Sequence, residues 1–272
     1  MTKIFPATLV LAFAGLTFTA HAQTRRAFVS TLLQPEAQVE YALNGDDYLL
    51  FSTNGSILPG GVDGITVLGV EGRAGYEHFW SEKWSGGSNL SAYGRQLASF
   101  GGTSKSVVDV TPELFLRHWN TFGQFNFRQR LGAEYSFSGI DARYTRASGS
   151  LRLDLDRVFM LNQVGLRPRV SVAAAAFLRL QRPEDEPKER VIDFTFARAE
   201  VGIRFSPHFD FTPWVSLDTS YNFALEQTDD QGRVTTPAGP LNLTAPVFGL
   251  DVRYTLFRGG APYERRQLPT QH

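Results

Sequence analysis

The residues of this chain that could do chemistry are mostly arginines and carboxylates, and they recur two positions apart. All but Lys3, Lys83, Lys105 and Lys188 of the 27 basic residues are arginine. Glu71 and Arg73, Arg128 and Arg130, Arg167 and Arg169, Arg198 and Glu200, and Asp251 and Arg253 share this spacing, while Arg117, Glu134, Arg204 and Asp218 fall in the same phase of their own segments. A spacing of two places both side chains on one face of a β-strand. Planar guanidinium forks and carboxylates can satisfy one another's donors and acceptors. These residues are therefore read as a lumen charge network, in phase with Arg95, Arg152, Glu77, Asp109, Glu113, Asp154 and Asp210. A salt-bridged polar interior is the favoured reading, ahead of a charged binding site or a narrow conduit.

Reaction chemistry has little support. A nucleophile, a base and an orienting group must converge for acyl transfer or hydrolysis, and the histidines His78, His118, His208 and His272 lie near strand ends, in a turn or in the tail. His78 and His118 read as interfacial residues. There is no G-x-S-x-G elbow, H-E-x-x-H helix or Walker loop. Cysteine is absent and no two histidines are close in sequence, so no metal or other cofactor is expected. The chain is expected not to be an enzyme. The charge run from Arg182 to Arg190 could hold divalent cations that bridge lipopolysaccharide, but a solvated loop is the favoured reading.

The elements that must position these charges are strands. Between Phe209 and Glu226, Phe209, Phe211, Val215, Leu217, Tyr221 and Phe223 alternate with Asp210, Thr212, Ser216, Asp218, Ser220 and Asn222. Alternation of this kind predicts Tyr41–Thr53, Ile65–Trp80, Ser88–Phe100, Ser106–His118, Phe122–Phe137, Ala142–Asp156, Leu166–Gln181, Val191–Phe205, Phe209–Glu226 and Leu243–Phe257 as strands. The fold class is all-β, an antiparallel up-and-down transmembrane β-barrel of about ten strands, with twelve as the alternative. A soluble β-sandwich or lipocalin-like binder fits less well, because the outward Phe and Leu residues would form large apolar patches in water.

The chain opens with Lys3, an apolar run from Ala7 to Ala20, and Ala20-His21-Ala22, the pattern of a secretory signal cleaved after Ala22. Residues 23–40 are read as a periplasmic segment, with a short plug or part of two further strands as the other readings. The barrel is assigned to residues 41–257 and a periplasmic tail to residues 258–272. A formal net charge of zero gives no support for nucleic-acid binding, and the 22 phenylalanines suit a surface facing lipid.

Loop lengths and aromatic residues extend the expectation. The long connections Asn54–Gly64, Arg182–Arg190 and Gln227–Asn242 all follow odd-numbered strands, which assigns them to one side, while Trp119–Thr121 and Ser206–His208 are tight. Tyr76, Trp80, Trp84 and Trp119 then form an interfacial girdle at the short-turn end. The last strand, ending at Phe257, is similar to the aromatic-ended strand by which outer-membrane barrels are recognised for insertion.

The segments Phe125-Asn126-Phe127-Arg128-Gln129-Arg130-Leu131-Gly132-Ala133-Glu134 and Arg198-Ala199-Glu200-Val201-Gly202-Ile203-Arg204-Phe205 resemble the Arg-rich strands of small Gram-negative outer-membrane barrels grouped as a domain of unknown function. The resemblance spans about Leu43 to Phe257. It implies a barrel in the cell outer membrane and carries over no activity and no site. The expected partners are outer-membrane lipids and lipopolysaccharide, with the barrel-assembly machinery during insertion. The expected function is a non-enzymatic integral barrel, structural or a narrow passive channel, and the alternative is a barrel enzyme acting on envelope lipids.

Overall fold

Alternating polarity becomes a closed wall in the computed structural model, which describes residues 25–43, 46–61, 64–97, 105–141, 145–162, 164–178 and 191–257. In chain order the strands are β1 (Arg25–Phe28), β2 (Leu32–Ala42), β3 (Asp47–Gly61), β4 (Gly64–Phe79), β5 (Trp84–Leu97), β6 (Lys105–Phe122), β7 (Phe125–Ser136) and β8 (Arg146–Asp156). They continue with β9 (Phe159–Leu161), β10 (Val164–Leu178), β11 (Phe194–Ser206), β12 (Phe209–Ala224), β13 (Gln227–Thr228), β14 (Val234–Thr236) and β15 (Gly239–Phe257). Eleven of them, β2 to β8, β10 to β12 and β15, go once round the barrel. Each pairs antiparallel with its neighbour in sequence. The ring closes where β15 pairs with β2 in parallel, from Val247 opposite Leu32 to Phe257 opposite Ala42. No helix among the described residues is long and apolar enough to cross a membrane.

The strand count differs from ten because the N-terminal segment belongs to the wall. β1 lies along the start of β15, with Arg25 opposite Leu241, and β2 follows further along the same strand. Residues 25–28 and 32–40 are therefore strands of the barrel sheet rather than an appendage, and the Tyr41–Thr53 strand is split between β2 and β3. An odd count also sends the ends of the wall apart. Arg25 lies beside the start of β15 and Phe257 ends it, so the two residues sit at opposite ends of the barrel. Residues 1–22, expected to be a signal, residues 258–272, expected to be a tail, and Arg182–Arg190 lie outside the described residues.

The connections at one end are 43–46, 80–83, 123–124, 157–163 and 207–208, and at the other 62–63, 98–104, 137–145, 179–193 and 225–238. Two of the expected long connections, those around Arg182–Arg190 and Gln227–Asn242, share the second end. The third is corrected. Residues Asn54 to Gly61 continue β3 along β4, with register shifts at Ser56/Ile57 and Pro59/Gly61, as far as Gly61 opposite Gly64. Likewise β6 runs on through Trp119 to Phe122 and turns at Gly123–Gln124, where Gly123 takes a φ of 60°. A two-residue hairpin turn needs positive φ at its first central residue, which glycine adopts at no steric cost. Within the 225–238 connection β13 and β14 form a small hairpin. Backbone N–H groups of Arg233 and Gln231, with the Arg233 side chain, hold the Asp229 carboxylate below its usual range.

The wall has two chemically distinct faces. Leu114, Leu131, Leu151, Val170, Val215 and Phe248 point outward and are exposed, while Arg117, Arg130, Arg152, Arg169 and Arg198 point inward and are buried. An apolar belt of this extent is far larger than the patches soluble monomers carry. If the parallel seam is part of the wall, deleting residues 25–42 strips β15 and β3 of a partner strand. The truncated chain is expected to lose the compact, heat-modifiable gel form. Retention of that form at full yield would show that closure does not need β2.

Candidate functional site

The inward face carries the chemistry, and its geometry follows from register. Every residue of the expected charge network lies there. Arg117 Nη1 donates to Glu77 at 2.7 Å, Arg130 Nη2 to Glu113 at 2.6 Å and Arg167 Nη2 to Asp156 at 2.6 Å. Asp154 is gripped from two strands, by Arg128 Nη2 at 2.8 Å and Arg152 Nε at 2.8 Å, and it also accepts from the Ser171 hydroxyl. Arg169 donates to Glu200. Arg198 joins Glu200 and Asp251, at 2.7 Å each, and Asp210 receives Arg204 at 2.8 Å and Arg253 at 2.7 Å.

Register also places like charges side by side. Arg117, Arg130 and Arg152 are direct cross-strand partners on β6, β7 and β8. Like charges opposite one another are destabilising, and aromatic rings offset this here. Phe115 points into the lumen between Arg117 and Arg130, each guanidinium 4.8 Å from the ring centroid, and Arg152 lies over Phe196 at 5.4 Å. The Nε atoms of Arg117 and Arg130 have no oxygen partner. The ring face accounts for their placement, as an electron-rich surface attracts a cation.

Inward side chains, most of them charged, meet across the lumen. Each of the eleven wall strands gives at least one inward side chain that is buried: Glu40, Tyr48, Glu77, Ser85, Arg117, Arg128, Asp154, Arg169, Glu200, Asp210 and Asp251, in order round the ring. Glu77, Arg117, Asp154 and Asp251 are each only 1% exposed. Towards the short-turn end the filling becomes aromatic, with Phe79 set between Tyr48 and Trp119 at 5.5 Å from each. Trp119 is thus corrected from girdle to lumen. It shares the inward phase of Phe115 and Arg117, whereas Tyr76, Trp80 and Trp84 are exposed as expected.

Not all of the expected network is in this plug. Glu71 and Arg73 pair at 3.0 Å, and Glu134 accepts from Ser148 at 2.6 Å, in a recess of about 380 Å³ with Asp109, Glu113, Arg146 and Phe177. Asp218, which accepts from Ser216 at 2.6 Å, lines a second recess of about 200 Å³ with Gln34, Glu36, Arg198 and Trp214. Both recesses lie in the long-loop half of the lumen.

Among the described residues the histidines are held by carboxylate, amide and carbonyl oxygens. His78 Nδ1 lies 2.8 Å from Asp47, which also accepts from the Tyr76 hydroxyl, and His118 bonds Gln129 at 2.7 Å while stacking on Trp84. Neither ring has a serine or threonine hydroxyl as partner among the described residues. His208 sits in its turn, with Nδ1 2.9 Å from the Thr255 carbonyl, and His272 lies outside the described residues.

Sequence reasoning missed Glu36, Gln38 and Glu40, which the β2 alternation Gln34, Glu36, Gln38, Glu40 against Leu33, Ala37, Val39 and Tyr41 carries. It also missed Trp214. This indole lies in the lumen, stacked on Arg198 at 3.9 Å, and donates to Asp251 at 2.7 Å. Gly249 makes the room, since a Cβ there would stand 2.0 Å from the indole ring.

Breaking one buried pair leaves an uncompensated charge, whereas removing both partners does not. Arg117→Leu is expected to destabilise the barrel by about 3–5 kcal/mol, and the Arg117→Leu, Glu77→Leu double variant should recover most of that loss. Denaturant unfolding followed by tryptophan fluorescence measures both. Additive losses would mean that Arg117 and Glu77 do not act as a pair.

No protein-family model matches this chain, and neither a curated protein nor a solved structure matches it.

Proposed function

We propose that the chain is a non-enzymatic integral outer-membrane β-barrel whose lumen is sealed, so that it serves as a structural envelope protein rather than a channel. The observation that carries the second half is the burial of an inward side chain from every wall strand, a charged one from nine of the eleven. A conducting pore must leave its lining charges open to water, and here an ion would have to displace paired guanidinium and carboxylate groups. Removing one partner of such a pair is strongly unfavourable. The first half is supported by the outward apolar belt and by the closure of the eleven wall strands into a ring, the requirements that hydrocarbon places on a spanning sheet. The secretory pattern at residues 1–22 and the resemblance of the Arg-rich strands point the same way.

In this reading the short turns face the periplasm and the long connections face outside. A cysteine at Asp230 should then react with a membrane-impermeant maleimide on intact cells, and one at Gln124 should not. The opposite pattern would invert the orientation. In planar bilayers the purified protein is expected to show no steady ionic conductance, and liposomes containing it should not swell in small sugars. A reproducible ohmic step would overturn the sealed reading while leaving the membrane location standing.

A further inference from the structure

The registers place an unusual row of residues on the outward face. Pairing connects Pro168 to Val201, Pro213 to Leu250 and Leu250 to Pro35. The same registers set Arg157 opposite Pro168 and Val201 opposite Pro213, but no ladder pair forms at either place. Proline has no N–H to donate. Arg157 N still reaches the Pro168 carbonyl at 3.3 Å, while nothing returns from Pro168. That loss is why β8 and β9, which share one register along β10, are interrupted at Arg157 and Val158.

Over this broken stretch lies an outward groove of about 770 Å³, floored by Pro168, Val201 and Pro213 and walled by Val170, Val215 and Phe248. Its rim at the short-turn end is basic. The Arg157 guanidinium lies 4.5 Å from the Phe159 ring centroid and 5.7 Å from that of Phe125, and no carboxylate partners it among the described residues. Every inward arginine of the plug is neutralised, whereas this one stands on the outer face beside an apolar slot.

We infer that this groove is a binding site for one glycerophospholipid of the leaflet on the short-turn side, with an acyl chain along the Pro168–Val201–Pro213 floor and the phosphodiester on Arg157. The inference rests on the membrane reading above. Charge complementarity selects the head group, because an unpaired guanidinium at the head-group level takes a phosphate through charge-assisted hydrogen bonds. The apolar lining selects the rest of the ligand. A free phosphate would reach only the rim, and lipid A belongs to the other leaflet.

The test is native mass spectrometry of the full-length barrel in detergent micelles, titrated with phosphatidylglycerol. One lipid is expected to be retained by the parent protein. Arg157→Gln should weaken retention roughly tenfold, as expected for one lost charge-assisted contact. Ala199→Trp, which fills the groove from the outward face of β11 and leaves Arg157 in place, should abolish it. Both variants should keep the heat-modifiable form, and Arg157→Lys should recover part of the binding. Equal retention by the parent and both variants, or none by the parent, overturns the site. Equal competition by lipid A overturns the assignment to a glycerophospholipid. A parent protein that never enters micelles or vesicles would instead defeat the membrane reading on which the site depends.

Discussion

The structure depends on one constraint: a charge that points into a closed ring of eleven strands has nowhere to go for solvent. In an open sheet an arginine can swing out to water. In this lumen it meets the opposite wall, so each guanidinium must find a carboxylate, a hydroxyl or a ring face at a position fixed by register. Asp154, held by Arg128 and Arg152 with Ser171 supplying a third contact, shows the result. The desolvation cost of each ion is several kcal/mol, and only close, multiply bonded geometry offsets it. Arginine suits this better than lysine, since its planar fork can bond two acceptors and still stack on a ring.

The same constraint explains why aromatic residues appear on the polar face. Phe115 separates two arginines that register puts directly opposite, and Trp214 covers Arg198 while donating to Asp251. Tyr48, Phe79 and Trp119 finish the filling at one end. These residues break the polar-in, apolar-out rule locally, and each one removes space that water would otherwise occupy. The outward arginine is the mirror case. Arg157 breaks the rule on the other face, beside prolines that also break the ladder.

Much of the wall and its charges was legible in the sequence, because a period of two is unambiguous where large apolar residues alternate with charged ones. The strands from Gly64 onward follow the expected segments, and the Arg and carboxylate residues fall on the inward face. Legibility failed where the signal is weak or ambiguous. On β2 the outward positions include Pro35 and Ala37, so the alternation that sends Glu36 and Glu40 inward lacks bulk. Gly55, Pro59, Gly60 and Gly61 read as loop, yet they extend β3, whose pairing with β4 overrides their low strand propensity. Trp119 was misplaced because a turn drawn too early hid its phase with Phe115 and Arg117. Pairs such as Glu71 with Arg73 and Arg198 with Glu200 follow from the spacing of two, whereas partners on other strands, such as Glu77 for Arg117, depend on register and curvature that the sequence does not carry.

The parallel seam between β2 and β15 also sets the order in which this molecule can be completed. Every other interface in the ring joins strands that follow one another round the wall in sequence order. The seam joins Leu32 to Val247 and Ala42 to Phe257, so it needs both ends of the wall at once. Its closure carries the largest loop entropy in the fold. Until it forms, β2 and β15 are two open edges and the acids of β2 lack the lumen around them. The chain is thus a sheet for as long as it is incomplete, and becomes a vessel only in its last contact.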